Sequence, residues 1–496
     1  MYLRVLCSIL LLALLSFQGK PKAQSVYPGF ISGNYAGASG IIHQPASISE
    51  NAYPYDFVLL GVNAFVDNNY AKVTRSRAFM NFSFADVNAD FIKSQETKYA
   101  FANIELTGPS VMLRLKNSRG IGFTSRVRTY VNADGLSGDL ATIIADEFNN
   151  AQIFDQSFSN QQYFLRINSW QEYGITYAQV IQETPFRKIK AGVTAKLLVE
   201  NGGAQMDFVT GTFQNIGDRL IVIPQFSLEY GYSEQVQNIA NGGFSFFGGS
   251  KGFGLDLGLI YEFYETKKGP TPSSTKIINN YRKQTNKVPK YKQKLGFALL
   301  DVGRLKYTYG PNSGEASLVV NTSGVVDLSS LRGTYDDPDV LGDSLNQQVD
   351  LNRVDGTYSM GLPTAFQANH DYRIRENVYI NTNAYINLSF LKWSDYTVHD
   401  ISNVTITPRW ENNWLGFYLP MYVNLEGQFN MGLASHIGPL VIGVHDFLPF
   451  ISRKESTSAG AYVMLKTFVP NKKKKKSKIK CGPQGWERAR RGKKKN

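Results

Sequence analysis

Residues 252–264 read GFGLDLGLIYEFY. Phe253, Leu255, Leu257, Leu259, Tyr261 and Phe263 take every second position, and Gly252, Gly254, Asp256, Gly258, Ile260 and Glu262 lie between them. Side chains of a strand alternate between two faces, so this stretch has one continuous apolar face and one face of glycine, acid and a single Ile. The same period recurs in KIKAGVTAKLLVE (188–200), NVYINTNAYINLSF (377–390) and LGFYLPMYVNLEG (415–427). These runs exceed the five or six residues of an average soluble strand and match the roughly 9–11 that a tilted strand needs to cross a bilayer. Tyr130, Tyr264, Trp393, Trp410 and Trp414 near strand ends fit aromatic girdles. A large soluble sandwich also alternates, but no second layer is evident. The charges Arg126, Arg128, Lys190 and Asp256 on the polar faces suit a wet lumen.

In lipid every backbone polar group must be paired internally, which leaves helix bundles and closed barrels. After residue 17 the chain has no apolar run long enough for a spanning helix. The expected fold is therefore all-β: a closed antiparallel transmembrane β-barrel of about 14 strands. Candidate strands lie near 55–67, 72–84, 108–117, 119–131, 163–169, 172–182, 186–200, 204–213, 219–232, 252–264, 292–309, 374–391, 403–410, 414–427, 429–445 and 458–469. SGDLATIIADEFNNA (137–151) reads as a short loop helix with Ser137 as cap. TKKGPTPSSTKIINNYRKQTNKVPKY (266–291) and the polar stretch from Pro311 to about Asn369 read as loops.

Charge separates the ends from the body. The chain carries +13 overall, yet residues 471–496 hold thirteen Lys and Arg against one acid, Glu487, and residues 24–470 sum to only −2. A nucleic-acid-binding body would carry its own basic face, so a nucleic-acid partner is not expected. At the other end Arg4, the apolar run Val5–Phe17 and the polar stretch to Ala23 have the anatomy of a secretory signal peptide. Cleavage there removes Cys7 and leaves Cys481 as the one cysteine, which excludes an internal disulfide. The expected organisation is signal peptide 1–23, plug-like segment 24–54, barrel 55–470 and basic tail 471–496.

The segment PGFISGNYAGASGIIHQPASISEN with the first strand after it resembles the plug region of the long-chain fatty-acid transporter superfamily, which includes the barrel subunit of the type IX secretion system. There an NPA motif sits inside the barrel; here it is Gln44-Pro45-Ala46. GNYAGASGIIHQPASISEN, GFGLDLGLIYEF, LGFALLDVGRLKY, GLPTAFQANHDYRI and PRWENNWLGFYLPMYVNLEGQFNMGLASHIGPLVIGVHDFL look like blocks of an uncharacterised outer-membrane barrel family of the Bacteroidota, a domain of unknown function. The resemblance implies an outer-membrane protein of a Gram-negative bacterium and no catalytic residues.

Signals for chemistry are sparse. The 5 histidines, His43, His370, His399, His436 and His445, show no metal-binding spacing, and neither a phosphate loop nor a nucleophile elbow occurs. No cofactor and no enzymatic activity are expected. The pair His445-Asp446 reads as a strand end entering a loop. Inward candidates mix both charge signs, without the like-charged ring of an ion filter, and show no clear apolar patch. Two functions follow: an accessory subunit of an envelope or secretion assembly anchored by its barrel, or a channel for small hydrophobic compounds.

GAYVMLKTF (460–468) resembles the aromatic-ended last strand that barrel-assembly machinery recognises, with Gly460, Tyr462 and Phe468 as the signal residues. A barrel with both ends on one side leaves the tail in the periplasm. There Lys472, Lys473, Lys474, Lys475, Lys476, Arg488, Arg490 and Arg491 face outer-membrane lipids, the anionic cell wall or an envelope protein partner. Near an anionic surface each cation gains about 1 kcal/mol. Surface protease treatment of intact cells is expected to spare an epitope placed after Asn496, and its removal would invert the orientation.

Overall fold

The computed structural model describes residues 26–73, 89–94, 96–146, 154–217, 220–240, 248–264, 291–319, 325–327, 352–391, 393–424, 429–452 and 456–469. The leader 1–23 and the tail 471–496 lie outside the described residues. Among the described residues no helix is long and apolar enough to cross a membrane.

A ring of 14 strands closes on itself. It comprises β1 (Tyr55–Asn68), β2 (Lys98–Thr107 and Ser110–Leu115), β3 (Arg119–Leu136), β4 (Ser157–Glu183), β5 (Arg187–Gly217), β6 (Lys251–Phe263) and β7 (Gln293–Thr308). It continues through β8 (Thr357–Gly361 and Ala365–Arg375), β9 (Val378–Asn387), β10 (Asn403–Glu411), β11 (Leu415–Tyr418 and Met421–Asn424), β12 (Phe429–Met431 and Leu433–Ile437), β13 (Leu440–Val444) and β14 (Ser458–Val469). Ring neighbours are antiparallel, and closure is made by β1 against β14, from Tyr55↔Val469 to Asp67↔Ser458. The expected fold is the one observed. Because the strand number is even, Tyr55 and Val469 lie at one end, together with the tight connections 116–118, 184–186 and 376–377. The basic connection 264–292 also leaves at that end, because Phe263 pairs with both Arg187 and Gln293.

Two strands are far longer than a bilayer requires. β4 has 27 residues and β5 has 31, and at about 3.3 Å per residue β5 spans roughly 100 Å, against an apolar band roughly 25 Å tall. The first part of β5 pairs with β6, and the part beyond Ala204 pairs with a ribbon, Leu220–Tyr232. That ribbon pairs with Gly314–Val319, so a sheet rises past the ring at the end opposite the chain ends.

Several strand boundaries differ from the sequence reading. Segments 163–169 and 172–182 are one strand, as are 186–200 and 204–213. The loop assigned to Pro311–Asn369 contains β8, and Lys98–Thr107 extends β2. β8 was obscured because its inward positions Gln367, Asn369 and Asp371 are polar and Pro363 interrupts it. Of 72–84, the described residues Ala71–Val73 pair only with Ala89–Phe91. The loop helix forms at Gly138–Ala145 with Ser137 Oγ accepting from Leu140 N at 3.1 Å.

Outward positions are apolar and exposed, among them Leu255, Leu257, Leu259, Val193 and Val463. Trp393, Trp410 and Trp414 are also outward and exposed, but Tyr130 is fully buried in the lumen, so it belongs to no girdle. The lumen fills in layers. Nearest the chain ends, Tyr27, Phe30, Ile31, Ile41 and Ile48 of the N-terminal segment pack on Val58, Met112, Tyr418 and Met464. At the opposite end Phe65, Phe101, Tyr130, Trp170, Leu305, Tyr307, Tyr358 and the loop residues Val398 and Ile401 form an apolar cluster. An inward apolar patch thus exists where none was evident in sequence.

Between these layers lie the charges, and they are not lone. Arg126 and Arg128 of β3 meet Glu105 of β2 at 3.2 and 3.6 Å, and both also contact Glu172 of β4. Lys196 of β5 reaches Asp256 of β6 at 2.7 Å and Asp301 of β7 at 2.5 Å. Asp301 is placed there by a bulge. The register of β7 against β6 shifts between Leu255 and Leu257, which turns the adjacent Leu300 and Asp301 both inward. Asp301 holds φ at 56°, a left-handed conformation that Asp tolerates better than most residues. Its carboxylate also meets Arg128 at 2.9 Å, and its N–H donates to Asp256 at 2.7 Å. Replacing Asp301 with Ala leaves Arg128 and Lys196 short of a partner and is expected to cost about 3–5 kcal/mol. A urea titration of the refolded protein in lipid vesicles measures this; an unchanged midpoint would show that the bulge carboxylate is dispensable.

Candidate luminal and lateral site

Gln44-Pro45-Ala46 starts a 3-10 turn, Pro45–Glu50, inside the barrel. Pro suits the first helical position because no partner is needed for its missing N–H. Gln44 is extended, with φ −155° and ψ 98°, and its Oε1 accepts from Ala46 N at 3.3 Å. Its Nε2 then donates across to the wall, to Phe297 O of β7 at 3.1 Å and Leu259 O of β6 at 3.4 Å.

This approach depends on two inward glycines. A Cβ on Gly192 of β5 would stand 2.6 Å from Ala46 N, and one on Gly258 of β6 would stand 3.0 Å from both Ala46 N and Pro45 Cδ. At Gly192 backbone therefore lies on backbone, and at Gly258 the wall is met by the Gln44 side chain and Pro45 as well as by Ala46 N. On the outer side of the same wall is a groove of about 490 Å³. Ala191, Gly192, Gly258 and Ala298 are among its small residues, and Tyr177, Leu257, Leu259, Phe297 and Phe366 surround them. Phe297 and Phe366 stack at 6.4 Å with 21° between ring planes. Ligand clefts typically measure roughly 300–1,000 Å³ and are mostly apolar. The groove opens where lipid tails lie, and the motif is its inner backing.

Ion pairs and hydrogen bonds hold the segment along its length. Lys466 of β14 meets Asp56 at 2.9 Å and donates to the carbonyls of Tyr35 and Ala36, each at 2.9 Å. Glu50 pairs with Lys188 at 2.9 Å and Lys190 at 3.6 Å, and Lys190 continues to Glu262 at 2.6 Å. Arg409 of β10 forks onto Asp371 at 2.7 and 2.6 Å and contacts Glu411 at 2.9 Å, while Glu411 accepts from Asn34 N and Nδ2. Tyr27 bonds Thr107 at 2.8 Å, beside Glu105 of the central charges.

The last-strand residues are engaged with the interior or the seam. Tyr462 donates to Pro28 O at 2.5 Å and meets Tyr27 edge-on. Gly460 lies against Ala64 O, where a Cβ would stand 2.8 Å away, and Phe468 pairs in register with Asp56. His445 is buried against Phe65 with Nε2 at 2.8 Å from Asn63 Oδ1. Asp446 accepts from Leu448 N at 3.0 Å, at the start of the short helix Leu448–Ser452, so the pair marks a strand end. Lys472 to Lys476 and Arg488, Arg490 and Arg491 lie outside the described residues. The sequence singled out the motif but not the groove: small residues at Ala191, Gly192, Gly258 and Ala298 were visible, and their juxtaposition across three strands was not.

A closed antiparallel ring with an apolar exterior, a charged interior and a chain segment packed in its lumen is a transmembrane β-barrel of the outer-membrane type. The chain belongs to the family of unknown function DUF5723, which matches residues 45–445. No curated protein matches it in sequence. Solved structures similar to it include the Ralstonia pickettii toluene transporter TbuX, with 8% identity, a TM-score of 0.41 and coverage of 91% of this chain and 98% of that one. A Pseudomonas aeruginosa FadL homologue has 8% identity and a TM-score of 0.40, covering 90% and 99%. The Pseudomonas putida toluene transporter TodX has 10% identity and a TM-score of 0.34, covering 90% and 96%.

A side chain at Gly192 must displace Pro45 and Ala46. In a Cys481→Ser background, Ala46→Cys is expected to react with a maleimide roughly tenfold faster once Gly192→Val is added, equivalent to about 1.4 kcal/mol of lost seating. Equal rates would show that the glycine does not seat the motif.

Proposed function

We propose that this protein is a non-enzymatic outer-membrane channel for small hydrophobic compounds, entered or left sideways through the groove between β4 and β8. The observation that carries this reading is the thinness of the wall there. Gly192 and Gly258 line the groove outside and contact the motif inside, so moving Gln44-Pro45-Ala46 exposes bare backbone between lipid and lumen. An apolar compound dissolved in the membrane gains about 25 cal/mol for each Å² it buries, which favours lodging in such a groove. On this reading the chain comes from a Gram-negative bacterium of the Bacteroidota, with residues 1–23 removed and the basic tail in the periplasm.

A second reading, an accessory subunit of an envelope or secretion assembly, is favoured by the sheet that β4, β5 and the Leu220–Tyr232 ribbon raise beyond the ring. A passive carrier does not need it. Its periplasmic counterpart would be the cationic tail, bound to an envelope protein or the cell wall.

Uptake of radiolabelled toluene by cells separates the two. Ala191→Trp fills the groove from the lipid side and is expected to lower uptake to the level of the deletion strain, with the barrel still heat-modifiable on gels. Uptake equal in wild-type and deletion strains, together with a stoichiometric crosslinked partner lost on removing residues 471–496, would replace the channel by the accessory role.

A further inference from the structure

The two sides of the lumen differ in chemistry. From β2 to β7 the wall is charged and locked by multiple ion pairs. From β8 to β10 its middle is uncharged: Gln367 and Asn369 on β8, Asn381 and Asn383 on β9, and Asn403, Thr405 and Thr407 on β10, all buried and inward. The N-terminal segment faces them with Ser32 and His43. His43 accepts from Gln367 Nε2 at 3.0 Å.

Two small cavities border the N-terminal segment: one of about 20 Å³ against β9 and β10, and one of about 40 Å³ lined mostly by the segment itself, with Ile260 of β6, Lys294 of β7 and Asn369 of β8. Ile31, Ser32 and His43 border both, so the two abut. The first reaches Asn383 and Asn403, and the second runs to Asn51 and Lys294 near the chain ends, where Lys294 is 3.5 Å from Asp371. A polar cavity needs roughly 10–15 Å³ to hold a water molecule, and both exceed that. Polar atoms facing the seam need such partners. Asn383 is 4% exposed and its Oδ1, in the wall of the first cavity, has no hydrogen-bond partner among the described residues. The same holds for Ser47 Oγ in the second cavity and for Gln367 Oε1 beside His43. A buried polar atom without a partner costs about 1–3 kcal/mol, so a hydrated seam is the state of lowest free energy.

The loop between β9 and β10 lies at the end opposite the chain ends, where its Val398 and Ile401 are fully buried in the apolar cluster. Its backbone is clipped to β3 in both directions: His399 N donates to Asn132 Oδ1 at 2.9 Å, and Asn132 Nδ2 donates to His399 O at 3.0 Å. His399 Nε2 lies 2.8 Å from Asp134, and Tyr385 OH donates to Asp400 at 3.2 Å. The clip and the seam belong to different elements, so either is alterable alone.

We infer that the seam between the N-terminal segment and strands β8–β10 is a hydrated passage for water and small uncharged hydrogen-bonding solutes, gated at its outer end by the β9–β10 loop. Its amide and hydroxyl lining offers donors and acceptors without a net charge. This route is separate from the apolar groove, which lies on the other side of the segment.

The test is osmotic swelling of proteoliposomes holding the full-length protein, with glycerol as solute. Asn132→Ala combined with His399→Ala removes the clip and is expected to raise the swelling rate about fivefold, the factor expected for losing roughly one hydrogen bond of closing energy. Adding Asn383→Leu to that variant fills the seam and is expected to return the rate to wild type. Heat-modifiable migration reports folding; if the double variant fails to fold, Tyr385→Phe, which removes only the contact with Asp400, takes its place with the same expected direction. A folded clip variant that swells at the wild-type rate, or a raised rate that Asn383→Leu leaves untouched, overturns the inference.

Discussion

A backbone crossing lipid finds no water for its N–H and C=O groups, and each group left unpaired there costs several kcal/mol. The pairing of β1 with β14 is the contact that meets this constraint. It removes both free edges at once, and every other feature follows from having an inside. Closure by an even number of strands brings the chain ends to one side. It also creates an inner face that must be filled, because side chains alternate and half of them point to the axis.

What fills the inner face is divided by physical type. The N-terminal segment is apolar where it meets Val58, Met112 and Met464, and it is fastened at its edges by Lys466, Lys188 and Glu411. Most of the central charges face more than one opposite partner; among the described residues Asp256 has Lys196 alone. Glu172 touches Arg126, Arg128 and Lys196, and Asp301 touches Arg128 and Lys196. Such an array offsets its desolvation only when its lone pairs and N–H donors are used, and the bulge at Asp301 brings a carboxylate from β7 that accepts from Arg128 and Lys196. Arg128 also lies over the rings of Trp170 and Tyr130, at 4.9 and 5.2 Å, which joins the charged layer to the aromatic one above it.

The wall is thin where glycine replaces side chains, and there the inner motif and the outer groove share atoms. Gly120 of β3 makes a similar backbone approach to Ile48, but no apolar groove is seen outside it among the described residues. The β8–β10 wall is different again: beyond its Asp371–Arg409–Glu411 cluster it is lined by amides and hydroxyls, and those without full sets of partners leave space for small polar molecules. One lumen thus presents a side crossed by a network of ion pairs and a side lined largely by neutral amides and hydroxyls.

Much of this was legible in the order of residues. A period of two with an apolar face, runs longer than soluble strands, and the want of a spanning helix define a barrel by elimination, since the bilayer permits little else. Inward glycines in 252–264 and the Gln44-Pro45-Ala46 motif were visible as well. The strand β8 was not, because a polar inward face and Pro363 made its pattern resemble a loop. Tyr130 read as a girdle residue because its place near a strand end was evident and its partner Trp170, stacked 5.6 Å away, was not. Alternation tells which face a residue occupies relative to its neighbours in the chain. It does not tell which residues of other strands share that face at the same height, and bulges such as the one at Asp301 reset even the face. The barrel was therefore determined by the sequence alone, while the ion pairs, the groove and the seam were decided only by the register of strands brought together from distant parts of the chain.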